Sequence, residues 1–143
     1  MSLVKWTPSL AVGVEAIDTQ HQELFRRIEV VIEALQTGRD AGEVRGLLTF
    51  LEEYVQYHFQ AEEAEMVRTL YPGFAQHRGE HQEFIRDLNL LLAEYARNGQ
   101  SAHFAVRVNN RVGIWLVNHV MRSDRALGLH LKQWAARERS GTG

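Results

Sequence analysis

The stretch LEEYVQYHFQAEE, residues 51–63, places Leu51, Val55, His58 and Glu62 at steps of three and four. On a helix those four side chains share one face. Leu51 and Val55 read as core, so His58 and Glu62 extend an apolar stripe with two titratable groups. Burying such groups unpaired costs several kcal/mol. A chain that turns them inward must give them a partner.

The rest of the sequence sets the frame. The chain has 143 residues, 45% of them hydrophobic, which suits one domain with a proper core. Its formal net charge is −2 and no basic run marks any segment, which argues against a nucleic-acid partner. There is no cysteine, so disulfides, thiolate zinc sites, iron–sulfur clusters and thioether-attached haem are excluded. No stretch approaches the roughly 20 apolar residues of a membrane span. The N-terminus lacks a signal-peptide core, so the expected location is cytoplasmic.

Pro8 and Pro72 are the only prolines, and the segments between turn signals are rich in Leu, Glu, Arg, Ala and Gln. Four helices are expected. The first runs from Thr19 to Thr37, with Asp18 as N-cap and Gly38 beyond its end. The second runs from Ala41 to Leu70, opened by Asp40 and Glu43 at capping-box spacing and stopped by Tyr71-Pro72-Gly73. The third runs from Phe74 to Arg97, stopped by Asn98-Gly99. The fourth begins after Ser101 and reaches Met121, with a further helical piece to Arg137 and weak points at Gly113 and Gly128. Short links between long helices imply an all-α, up-down-up-down antiparallel four-helix bundle. The expected organisation is a single domain over 1–143: an N-terminal arm (1–17), the bundle with a short C-terminal helical extension (18–137), and a flexible tail (138–143).

Each apolar stripe ends on histidine. Phe25, Ile28, Ile32 and Leu35 lead back to His21. Leu47, Leu51 and Val55 lead on to His58 and Glu62. Phe84, Leu88, Leu92 and Tyr95 lead back to His81 and His77. Val108, Val112 and Trp115 lead on to His119, and Asp124 follows five residues later. A single inward histidine is usually a core residue bonded to a carbonyl. Five of them, spread over every helix, each needing its own partner in a narrow dry core, are better explained by one shared partner, a metal centre. Axial depth agrees with helical phase: His21 lies about 17 residues before the first turn and His58 about 16 after it, a mismatch of a few ångströms. His81 and His119 match across the third turn in the same way.

Five imidazoles and two carboxylates exceed the needs of one tetrahedral zinc. They suit two first-row ions bridged by carboxylates, and iron takes mixed nitrogen and oxygen donors readily. The gap of five from His119 to Asp124 is not a clean helical turn, and a local widening or a loosened turn is expected there to swing Asp124 inward. His103 and His130 fall outside the set, and Glu63 and Glu65 read as a solvated face.

The motifs DTQHQELF (18–25), HFQAEEAEM (58–66), YP (71–72), HRGEH (77–81) and WLVNHVMRSD (115–124), with Trp6 and Gly13-Val14, run in order along essentially the whole chain. In these the chain resembles the hemerythrin family, its single-domain bacterial members in particular. The resemblance implies a di-iron O₂ site with a bridging oxo or hydroxo group. It implies that His77, His81 and His119 hold one iron and His21 and His58 the other, with Glu62 and Asp124 bridging. O₂ is then taken up reversibly at an open position on the second iron, in a pocket walled by Phe59, Trp115 and Leu116. One departure is Leu127, where bacterial relatives commonly have a tyrosine; it bears on solvent access and on autoxidation.

The function expected on this basis is O₂ storage, transport or delivery by a monomer, with O₂ as ligand and a protein recipient as a possible partner. The alternatives are an O₂ or redox sensor acting through a partner, and a di-iron oxidase or peroxidase-type enzyme. Ferritin-like oxidases usually use several Glu with an ExxH motif, and no ExxH occurs here. A b-type haem bundle would leave three histidines unexplained.

Overall fold

A computed structural model of the chain describes residues 4–141. Four helical rods lie antiparallel: α1 (Glu15–Gln36), α2 (Ala41–Arg68), α3 (Phe74–Asn98), and a fourth rod from Ala102 to Gly141. α1 packs on α2 and α2 on α3. The fourth rod closes the bundle against α1 and α3. Among the described residues there is no strand.

The fourth rod is one continuous path rather than a helix and a separate extension. It consists of α4 (Ala102–Val108), a π-helical segment (Asn109–Ile114), α5 (Trp115–His119), a second π segment (Val120–Asp124) and α6 (Arg125–Gly141). The two glycines that looked like breaks are places of close approach instead. A Cβ on Gly113 would collide with the side chain of Val4, and one on Gly128 with the backbone oxygen of Val12. The N-terminal arm therefore lies across the rod, with Val4, Leu10 and Val12 buried, and needs a side-chain-free surface there.

The arm is tied down at both ends of its turn. Arg125 donates to the carbonyl of Ser9, and Asp18 accepts from the backbone N–H of Val12 at 2.8 Å and of Gly13 at 3.3 Å. This corrects the role expected for Asp18. The helix begins earlier, after Val14, with no side-chain cap, and Asp18 spends its carboxylate on the arm. Asp40 does cap α2, accepting from the N–H of Glu43 at 3.2 Å. Ser101 caps α4 through the N–H of Phe104. α2 ends at Arg68, two residues short of Leu70, whose φ of 53° carries the chain into the turn.

The apolar stripes face inward nearly as the periodicity requires. Phe25, Ile28, Ile32, Leu35, Leu51, Val55, Phe84, Leu88, Tyr95, Val108 and Val112 are buried. Leu47, Leu92 and Trp115 sit half-buried on the flank, and their neighbours Leu48, Leu91 and Leu116 take the fully buried positions. Residues 138–141, expected as part of a flexible tail, are helical. α6 is helical to Gly141, helped by Glu138 pairing with Arg68 of α2 at 3.4 Å, and residues 142–143 lie outside the described residues.

Candidate metal centre

All seven candidate residues converge at one level of the bundle, each from its own helical logic. His21 comes from α1, His58 and Glu62 from one turn of α2, and His77 and His81 from one turn of α3. On the fourth rod the five-residue gap from His119 to Asp124 coincides with the π segment. A π turn repeats near i+5, so both residues point inward where an α turn would rotate one of them away. None of the seven is more than 4% exposed.

The donor atoms fall into two overlapping sets. Glu62, His77, His81, His119 and Asp124 form one, and His21, His58, Glu62 and Asp124 the other, with the atoms of each set within 4.8 Å of one another. Both carboxylates belong to both sets and divide their oxygens between them. Glu62 Oε2 lies 3.2 Å from His21 Nε2 and 3.0 Å from His58 Nε2, whereas its Oε1 lies 3.1 Å from His81 Nε2. Asp124 Oδ2 lies 3.0 Å from His21 Nε2, whereas its Oδ1 lies 2.9 Å from His77 Nε2 and 3.1 Å from His119 Nε2.

These short separations are not hydrogen bonds, apart from His21 Nε2 with Glu62 Oε2. The Nε2 atoms of His58, His77, His81 and His119, Glu62 Oε1 and both Asp124 oxygens are buried without a hydrogen-bond partner. Buried polar atoms in a native core are normally satisfied. Here they point at shared centres rather than at each other. Two donors at right angles on a first-row ion with bonds of about 2.1 Å lie about 3 Å apart, which is the spacing observed. The donor set therefore fits metal ions.

The electrostatics agree. Burial opposes charge on His21 and His77, yet the carboxylates of Asp124 and Glu62 outweigh it and raise them to about 10 and about 9. His119 is raised on the same balance. Burial pushes both carboxyls up, yet the surrounding imidazoles hold Glu62 and Asp124 well below the usual carboxylate range. Two anions in an apolar core draw positive charge, and in the metal-free chain only imidazolium protons supply it.

A further layer of partners had no signal in the stripe pattern. Gln20 on α1 meets His58 Nδ1 on α2, Glu63 on α2 meets His81 Nδ1 on α3, and Glu80 on α3 meets His119 Nδ1 on α5, each at 2.8 Å. Ser123 donates to the same Glu80 oxygen at 2.6 Å. Each rod thus orients a histidine of the next. Glu63 is consequently not part of a solvated face; Glu65 is, paired with Arg68 at the surface. All three supporting residues stand beside a candidate donor in sequence, about 100° round the helix, where they face the seam with the neighbour. Adjacency to a predicted donor is the signal that could have found them.

Phe59 stacks on His81, with ring centroids 3.7 Å apart, and Trp115 stacks on His119 at 4.8 Å. Leu116 is fully buried. His103 is exposed, and His130 is drawn away to the carbonyl and hydroxyl of Thr69. Neither joins the donor set.

A family model described as "Hemerythrin HHE cation binding domain" matches residues 12–128. The bacteriohemerythrin of Stenotrophomonas maltophilia (strain R551-3) is 28% identical, over 99% of this chain and 92% of its own length. That of Methylococcus capsulatus is 29% identical, over 90% and 96%. Hemerythrin subunit alpha of Lingula anatina is 27% identical, over 83% and 87%. Among solved structures, a wild-type hemerythrin superposes with a TM-score of 0.81 at 28% identity, covering 91% of this chain and 98% of that one.

Proposed function

Because the chain belongs to the hemerythrin family, whose members bind O₂ at a di-iron site, we propose that it binds O₂ reversibly at two iron ions, for storage or delivery. His77, His81 and His119 would hold one ion, His21 and His58 the other, with Glu62 and Asp124 shared between them. The observation that carries this reading is that each carboxylate divides its oxygens between a set of three imidazoles and a set of two: Glu62 turns Oε1 to His81 and His77 and Oε2 to His21 and His58, and Asp124 turns Oδ1 to His77 and His119 and Oδ2 to His21. It leaves one ion with fewer protein donors than the other, hence with room for a diatomic ligand. All seven donors come from one chain, so a monomer suffices.

Iron, when bound, supplies the electrons that hold O₂ and recovers them on release. The chain's own residues decide that the exchange stays reversible. Apart from the seven donors, the buried residues with a polar side-chain group, among the described residues, are Thr69, which is bonded to the Glu65 carbonyl, and Tyr95, whose phenol lies about 20 Å along α3 from His81, too far to serve the centre. The nearby acids Glu63 and Glu80 are committed to imidazole Nδ1 atoms. No free acid faces the interior to deliver protons for O–O cleavage, which favours carriage over oxidase or peroxidase chemistry. Phe59 and Leu116 keep the interior apolar and dry.

The test is metal analysis with optical titration. Two irons per chain are expected, with a colour change on exposing the ferrous protein to air that reverses when oxygen is removed. One iron or none, or bleaching that does not reverse, would overturn the proposal.

A further inference from the structure

Arg122, Arg125 and Lys132 gather round a surface hollow of ≈ 480 Å³, walled by Val12 and Gly13 of the arm and by Leu129. Among the described residues none of these three cations has an acidic partner, and the one hydrogen bond among them is that of Arg125 to the Ser9 carbonyl. Residues 122–143 hold five Lys or Arg against two acids, in a chain whose net charge is −2. Of those two acids, Asp124 is buried and Glu138 is paired with Arg68. Arg122, Arg125 and Lys132 therefore give this face a net positive field, opposed beside Arg122 by the Glu80 carboxylate.

The hollow is continuous with the outer wall of the metal centre. Arg122 also lines two adjoining hollows of ≈ 260 Å³, one reaching His119 and the other His77, with Glu80 in both. Met121 and Leu129, 46% and 56% exposed, give the same face apolar ground. A free inorganic anion has no use for that ground, whereas a protein surface with an apolar centre and a charged rim covers it.

We propose that this face docks an acidic one-electron donor protein that returns the oxidised centre to its ferrous state, with electrons entering at the outer edge of His119, where it lines the hollow it shares with Arg122. The proposal rests on the di-iron reading above. Two donor molecules each lose one electron for every pair of ferric ions reduced, and no atom is transferred. Arg122, Arg125 and Lys132 steer and orient the donor, and the stacked Trp115–His119 pair lies at the edge of the contact.

The experiment compares the wild-type chain with Arg125→Glu/Lys132→Glu, neither residue touching a candidate donor atom, and with Lys132→Glu alone in case the arm is loosened. Reduction of the oxidised protein by dithionite, an anion, is expected to slow with rising salt and to fall about tenfold in the double variant at low salt. Reduction by hexaammineruthenium(II), a cation, is expected to quicken in that variant. Separately, hexaglutamate titrated into metal-free protein is expected to shift amides within residues 121–132, and not in the variant. Dithionite rates that ignore both salt and variant, or peptide shifts elsewhere, would overturn the docking face. Equal shifts with a short DNA duplex would show a general polyanion surface and overturn the protein partner. Absence of iron would remove the kinetic comparison and sink the di-iron reading, while the peptide titration would still report on the face itself.

Discussion

The two halves of the candidate centre are built from the same two carboxylates and differ in what supports their imidazoles. The three-histidine half is stiff and anionic. His81 and His119 each donate Nδ1–H to a carboxylate, Ser123 locks one of those carboxylates, and aromatic rings stack on both imidazoles. Among the described residues the two-histidine half has a single neutral partner, Gln20 on His58; His21 Nδ1 has none, and neither does His77 Nδ1 in the other half. Carboxylate support raises the basicity of an imidazole and fixes its orientation. On the proposed di-iron reading, the first half would hold its ion tightly and the second would leave its ion accessible.

The largest expected effect erases the comparison. Glu62→Ala removes a donor common to both halves and leaves its imidazoles without their anion, so the variant is expected to bind no stable iron pair. Normal iron content and O₂ binding in that variant would disprove the shared carboxylate. His58→Ala should separate the halves, giving about one iron per chain because the three-histidine side stays complete. Loss of both irons there would mean that the halves do not bind independently.

A smaller effect sharpens the contrast. Glu80→Gln keeps the size of the side chain but removes the charge behind His119, and should weaken metal binding about 10- to 100-fold by chelator competition. Gln20→Ala on the other half should cost distinctly less. If the order were reversed, the stiff half would have been misidentified.

Removal of metal brings in pH. His21 and His77 are raised to about 10 and about 9 in the metal-free chain. Stabilisation from a raised histidine is complete below its ordinary value and is lost as pH climbs through the folded value. Metal-free protein should therefore melt at progressively lower temperature between pH 7 and pH 10. The iron-loaded protein, with metal in place of those protons, should not show this slope, and parallel melting curves would refute the charge balance drawn here. The mildest change is Leu127→Tyr. Leu127 is fully buried three residues after Asp124, and the substitution is expected to alter the autoxidation rate while leaving iron content unchanged. An unaltered rate would remove Leu127 from the account.

The stiffness of one half was invisible in the sequence because its source is lateral. Glu63 read as part of a solvated face, and nothing in the stripe pattern singled out Glu80. Only the packing of α2 on α3, and of α3 on the fourth rod, brings them to His81 and His119. Asp18 misled in the opposite way. Its type and position suit an N-cap, and the tertiary need to hold the arm at Val12 and Gly13 took precedence.

What the sequence determined by itself was the bundle and the seven inward positions. Both follow from local geometry: 3.6 residues per turn select the face and 1.5 Å per residue the depth, with the five-residue gap announcing the widened turn before Asp124. Tertiary structure alone decided which neighbour each flank meets. It set the Nδ1 partners, the passage of the arm over Gly113 and Gly128, and the gathering of Arg122, Arg125 and Lys132 into one charged face. Those outcomes depend on how rods rotate and cross, and no periodicity within a single helix encodes that.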